Sequence, residues 1–234
     1  MPNKFATPLL AATLYAASAA GFAAIVTRDF AQYSIAYDYD DAPGAPGFGA
    51  SFFDSSVDGQ VSFGWSIPTS VAVTGTRPAT VNDFQMPFFF VRAAPGYTFT
   101  GPITGFIGNL DYKETGTGRT EAGIQGAIAF DSGNTRNFTR LLDKDPSGFY
   151  SGSASLAHPG AFDALVFFGY LSLGARGNAN NASITANPQS TFTMSFLAAP
   201  VPEPESYAML LAGLGVIAAF AMKRRPAFGA NADA

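Results

Sequence analysis

The sequence predicts an all-β protein: an antiparallel two-sheet sandwich, jelly-roll-like, preceded by a signal-peptide helix and followed by a C-terminal transmembrane helix. Three observations predict this. Short segments alternate apolar and polar residues with period 2, and turn-forming clusters separate them. No amphipathic helix of period 3.6 occurs before the tail. Long uncharged stretches occupy both ends, at residues 5–27 and 206–222.

Composition bounds the function classes. The 234 residues suffice for one β domain of ordinary size. Only 13% are charged, against a typical ~25%, while Phe occurs 23 times. With no Cys and a single His, the chain excludes a disulfide scaffold, an iron–sulfur cluster, a Cys-rich zinc site and a catalytic thiol. The net charge of −4 argues against a nucleic-acid partner, because neutralising phosphates requires a basic surface.

Residues 1–23 read as an export signal. Lys4 supplies the positive start, Ala6 to Ala20 form an Ala-rich apolar stretch with Leu9, Leu10 and Leu14, and small residues follow at Ala17-Ser18-Ala19 and Gly21-Phe22-Ala23-Ala24. These fit cleavage between Ala19 and Ala24.

Residues 24–197 are expected to form the β-sandwich. In Gln60 to Ile67 one face is Val61, Phe63, Trp65 and Ile67. Tyr33, Ile35, Tyr37 and Tyr39 share a face in Gln32 to Tyr39. Ile124 to Phe130 and Thr191 to Phe196 alternate in the same way. Ala164 to Leu173 is apolar on both sides, which predicts a central strand covered on both faces. Pro87 before Phe88-Phe89-Phe90-Val91 predicts an edge strand or a strand start. Turns are expected at Ala94-Pro95-Gly96, Thr115-Gly116-Thr117-Gly118, Asp131-Ser132-Gly133-Asn134 and Asp145-Pro146-Ser147-Gly148. Asp40 to Gly49 and Gly174 to Gln189 read as long loops. About eight to ten strands are expected in all.

Residues 198–205 contain three prolines and read as a stiff extended linker. Residues 206–222 carry no charge and would span ~26 Å as a helix, close to the ~30 Å hydrocarbon core. Lys223-Arg224-Arg225 come directly after, and clustered positive charge holds such an end in the cytoplasm. Residues 223–234 are then a basic cytoplasmic tail.

Pro202-Glu203-Pro204, one apolar helix and Lys223-Arg224-Arg225 together resemble the PEP-CTERM sorting signal of Gram-negative bacteria. The resemblance covers about residues 201–225. It implies that Pro202, Glu203 and Pro204 are read by exosortase, a membrane transpeptidase-like cysteine enzyme, and that cleavage falls near them. It also implies a setting of extracellular polysaccharide or biofilm. Such a tail is an address and leaves the activity of its bearer open.

The residues of the middle offer several chemistries. His158 is the one imidazole, so a Ser–His–Asp triad must use it with Asp163 or Asp145. No Gly-x-Ser-x-Gly elbow accompanies it, and His158-Pro159-Gly160 reads as a turn. Asp38, Asp40 and Asp41, with Asp54 and Asp58 near them, are candidates for an oxygen-coordinated Ca²⁺, although Asp-rich turns commonly bond their own backbone. Glu114, Glu121 and several Asp are available as the carboxylate pair of a glycosidase, but nothing in the sequence places two of them across a cleft. Trp65, Tyr97, Tyr112 and Tyr150 are candidates for stacking on sugar rings, with Trp65 on the apolar strand face expected in the core. Thr pairs at Thr74/Thr76, Thr98/Thr100, Thr115/Thr117 and Thr191/Thr193 are too irregular for an ice-binding array. The reading is therefore a non-enzymatic surface or extracellular-matrix protein, structural or adhesive, with no cofactor. A glycan-binding module is the alternative; an ice-binding protein and a secreted hydrolase rank below it.

Overall fold

The computed structural model describes residues 24–39, 51–75, 79–157, 160–177, 181–201 and 209–217. The chain divides into two compact units, residues 1–199 and 200–234.

Among the described residues the first unit holds fourteen strands. They are β1 (Ala24–Asp29), β2 (Tyr33–Tyr39), β3 (Phe52–Asp54), β4 (Gln60–Ser66), β5 (Ala72–Thr74), β6 (Thr80–Gln85) and β7 (Phe89–Ala93), then β8 (Tyr97–Glu114), β9 (Arg119–Phe130), β10 (Thr135–Leu141), β11 (Asp143–Lys144), β12 (Phe149–Leu156), β13 (Ala164–Arg176) and β14 (Ala182–Pro200). The described pairings are antiparallel. One sheet runs β1-β2-β7-β13-β9-β10, with β6 also on β13. The other runs β11-β12-β8-β14-β4-β3, with β5 also on β14.

The sheets face each other across an aromatic core. Period-2 alternation turns Tyr33, Ile35 and Tyr37 of β2, Phe89 and Val91 of β7, and Leu165, Phe167, Leu171 and Leu173 of β13 inward, all buried. Val61, Phe63 and Trp65 of β4, with Phe192, Met194 and Phe196 of β14, meet them from the second sheet. Phe89 stacks on Trp65 at 5.1 Å and on Phe167 at 4.8 Å, so one ring joins both layers. Such pairs add ~0.5–1.5 kcal/mol each beyond their buried area. At the β1 edge the Arg28 guanidinium lies 5.2 Å from the Phe52 ring centre, and its Nε donates to the Tyr37 hydroxyl at 3.1 Å.

Two local devices shape the sheets. Asn109 adopts φ 62°, a left-handed conformation that Asn tolerates better than most residues. It sits at a bulge where β8 slips against β12 between Tyr150 and Gly152. Its carbonyl accepts from Ser190 Oγ at 2.6 Å and Asn187 Nδ2 at 2.8 Å, pinning the bulge to β14. Gly126 lies in the β9–β13 ladder, where a Cβ would run into the Phe168 carbonyl and the Phe138 ring.

The structure corrects several expectations. Gly174 to Gln189 is not one long loop: β13 continues to Arg176, and β14 begins at Ala182. Inward Ala182 and Ala186 on either side of Ile184, opposite Ser and Thr, give alternation of low amplitude, which polar composition masks. Pro87 precedes a strand start, and β7 is internal, flanked by β2 and β13. Central placement of β13 holds, but Val166, Phe168 and Tyr170 on its outer face are half-buried or exposed. β14 runs through Pro200, three residues into the expected linker. Strands outnumber the eight to ten expected because short ones such as β5 and β11 carry almost no periodic signal.

The signal-peptide helix (1–23) and the Asp40 to Gly49 loop lie outside the described residues. In the second unit, residues 209–217 are helical. Residues 202–208 and 218–234 lie outside the described residues, so the expected 206–222 helix is described only over 209–217. Among the described residues no helix is long and apolar enough to cross a membrane.

Candidate functional site

The most elaborate polar cluster of the β unit lies where β8 ends and β9 begins. The Glu114 carboxylate accepts from the Thr120 amide, from Thr120 Oγ1 at 2.7 Å and from Lys144 Nζ at 2.5 Å. Tyr150 donates to the Thr120 carbonyl at 2.6 Å, and its hydroxyl lies 3.0 Å from Thr120 Oγ1. Lys144 Nζ sits 5.2 Å from the Tyr112 ring centre and 5.6 Å from that of Tyr150. Burial pushes the Glu114 carboxyl up, but hydrogen bonds from Lys144 and Thr120, with the Lys144 charge, together hold it below its ordinary value. Burial likewise opposes the charge on Lys144, and contacts with Glu114 and Tyr150 overcome it, so its pKa is raised. Both groups stay ionised at neutral pH. A general base needs a pKa near the working pH, and these groups are driven away from it. The cluster is a clamp that ties β8, β9, β11 and β12.

The other sequence candidates separate. Glu114 bonds the inward Thr120, whereas the next residue, Glu121, is exposed on the opposite face of β9, so the two carboxylates do not share a cleft. Asp145 caps its own turn, accepting from the Ser147 amide and hydroxyl at 2.7 Å each, and the amide bond foremost lowers its pKa. Asp163 accepts from Thr98 Oγ1 at 2.8 Å. His158 lies outside the described residues.

Of the Ca²⁺ candidates, Asp38 accepts the Phe88 amide at 2.9 Å and so fastens the β2 end to the start of β7. Asp40 and Asp41 lie outside the described residues. Asp54 accepts from the Tyr33 hydroxyl at 2.7 Å and Ser56 Oγ at 2.6 Å, and Asp58 accepts from Gln32 Nε2 at 3.4 Å. Burial first, then the Asp54 bond, pushes the Tyr33 hydroxyl far up, so it remains neutral. Among the described residues no group of three or more His, Asp or Glu is placed to hold a metal ion.

The sugar-stacking candidates also divide. Trp65 and Tyr150 are buried in the core. Tyr112 packs at 5.0 Å on Tyr150, and Tyr97 lines a surface cleft beside Phe30 and Arg92. Aromatic side chains that reach the outer face of the first sheet are instead Phe90, paired with Val166, and the β13 residues Phe168 and Tyr170, with ring centres 5.0 Å apart. Their position two apart on a strand was the available signal, but an apolar run does not reveal which of its faces is covered.

In the tail, Pro202, Glu203 and Pro204 and the basic Lys223, Arg224 and Arg225 lie outside the described residues. Residues 209–217 form a helix exposed on all sides, with Met209 at 75% and Leu211 at 68%.

Comparison with known proteins bears on the tail. No curated protein matches the chain. Among solved structures, the arabinose-bound α-L-arabinofuranosidase MgGH51 is similar at 11% identity, over 75% of this chain and 24% of that chain, with a TM-score of 0.22. The chain thus spans about a quarter of that enzyme, and a likeness so slight bears on neither fold nor activity. Residues 200–225 match the PEP-CTERM protein-sorting motif, so the segment marked by Pro202-Glu203-Pro204, the apolar stretch and Lys223-Arg224-Arg225 is a PEP-CTERM sorting signal.

Proposed function

We propose that this chain is an exported, exosortase-sorted protein of the cell surface or extracellular matrix, with a structural or adhesive role and no enzymatic one. The carrying observation is the sorting motif at residues 200–225. The signal-like residues 1–23 agree with it. Transient membrane anchoring belongs to this reading on sequence grounds: residues 206–222 carry no charge, and Lys223, Arg224 and Arg225 follow them. A second helix face for a protein core would need a polar stripe opposite it, and residues 206–222 have none.

The working partner is an exosortase-like enzyme that reads Pro202, Glu203 and Pro204 and removes the segment C-terminal to them. Lys223, Arg224 and Arg225 hold the far end in the cytoplasm until then. The β unit, by this reading, is the cargo. Its charged cluster at Glu114 and Lys144 is locked in an ion pair, and this supports a structural role. Extracellular polysaccharide is the expected neighbour.

Deleting the exosortase gene of the host tests the sorting half. The expected result is full-tailed protein accumulating in the membrane fraction, and unchanged release would reject it. Deleting the gene for this chain tests the adhesive half. Surface polysaccharide retention, aggregation or attachment should fall; if all three stay unchanged, the adhesive role is wrong.

A further inference from the structure

The geometry points to a glycan-binding cleft on the outer face of the first sheet, where an extended, uncharged polysaccharide lies along β13 and β9 with one sugar ring stacked on Tyr170 between Gln85 and Gln125. This rests on the reading of the protein as an exported neighbour of extracellular polysaccharide.

The ladder registers fix which side chains stand together. Tyr170 pairs with Gln85 of β6 on one side and with Gln125 of β9 on the other. Directly paired residues of antiparallel strands share a face, with strands ~4.8 Å apart. The Tyr170 ring therefore has an amide on each flank. Both glutamines are exposed, and neither amide has a hydrogen-bond partner among the described residues. The Phe168 ring, at the next position on that face, stands perpendicular to the Tyr170 ring with centres 5.0 Å apart.

Beside the ring the face is hollowed. Ser172 and Gly174 of β13 and Gly123 of β9 form the floor of a cleft of about 270 Å³, walled by Val81 and Leu141. A Cβ on Gly174 would stand 3.7 Å from Glu121 and Val81, in space the cleft leaves open. Val81 and Leu141 are 65% and 59% exposed, so the walls stand clear of the sheet.

These groups fit a sugar. The C–H face of a pyranose packs on an aromatic ring, and its hydroxyls both donate and accept, as a free glutamine amide does. Charge decides which sugar. Asp83 and Glu121 stand on this face with Arg119 and Arg176, and Arg140 at the cleft is paired with Asp143, so the face carries no net positive charge to draw a polyanionic glycan and suits an uncharged one.

Isothermal titration of the full chain in detergent micelles tests this, with cellohexaose, xylohexaose and mannohexaose as neutral probes and an alginate hexamer as the polyanion. At least one neutral probe should bind, and alginate should not. Tyr170→Ala should weaken that binding about ten-fold or more, as truncating a central aromatic anchor does. Gly174→Phe, which fills the cleft without touching Tyr170, should weaken it as well. Phe106→Ala, at an exposed position on the second sheet, should bind like the parent. The cleft is rejected if no neutral probe binds, if alginate alone binds, if Tyr170→Ala and Gly174→Phe both bind like the parent, or if Phe106→Ala loses as much. Failure to bind by protein that is nonetheless exported and trimmed removes the cleft alone. Untrimmed protein retained in the cytosol removes the reading beneath it.

Discussion

Residues 24–200 and the C-terminal tail carry different kinds of information. In the β unit a large aromatic and aliphatic set is committed to packing. Trp65, Phe63, Phe89, Phe167 and Phe192 form one continuous set of ring contacts across two sheets. In the tail the apolar side chains of 209–217 are exposed, and the sequence on either side holds a short motif and a charge cluster. A substitution in the first region should therefore change stability and leave destination alone, and one in the second should do the reverse. Fold and address are separable properties of this chain.

The largest effect expected is on destination. Replacing Pro202, Glu203 and Pro204 together by Ala should abolish removal of the tail, seen as a mass difference on a denaturing gel. The melting temperature of the β unit should not move. A simultaneous loss of stability would break the separation.

The largest effect on folding should come from Phe89→Ala. Phe89 bridges the sheets through Trp65 and Phe167, and truncating a buried Phe costs about 3–5 kcal/mol. Denaturant unfolding would measure it.

Glu114→Gln should cost less, about 1–2 kcal/mol, because it removes a partly exposed charge-assisted bond. It should also alter the pH dependence. The folded pKa of Glu114 is lowered, so its contribution is complete above the ordinary value of 4.5 and is lost as pH falls through the lower folded value. Lys144, raised in the fold, contributes fully below 10.5 and loses that contribution only at higher pH. An acid titration of unfolding free energy should show a decline in the parent that is shallower in Glu114→Gln.

Effects no larger than that probe local geometry. Asn109→Ala should cost about 1–2 kcal/mol for the left-handed backbone, and Asn109→Gly less, by relative melting temperature.

Much of this division is legible in the sequence. The inward faces of β2, β4 and the second half of β14 are written in large residues alternating with small polar ones, a strong local signal. The sorting tail is legible because three weak features occur in one order. Other parts are set by contacts that local pattern does not carry. The bulge at Asn109 shifts the inward positions of β8 from Ile103 and Ile107 to Leu110, which breaks the period. The edge strand β10 buries little besides Phe138, so it has hardly any pattern to read. The outer side of β13 is apolar in sequence yet open in the fold, because sheet order, not the strand itself, decides what covers it. For the same reason Trp65 and Tyr150, candidates for a sugar platform, pack inside while Tyr170 stands outside.

The most direct test of the sorting account is the intact mass of the protein recovered from the outside of its native cells. The account predicts a chain that starts between Ala20 and Ala24 and ends near Pro202-Glu203-Pro204. A chain running from Met1 to Ala234, recovered from the cytosol, would contradict it.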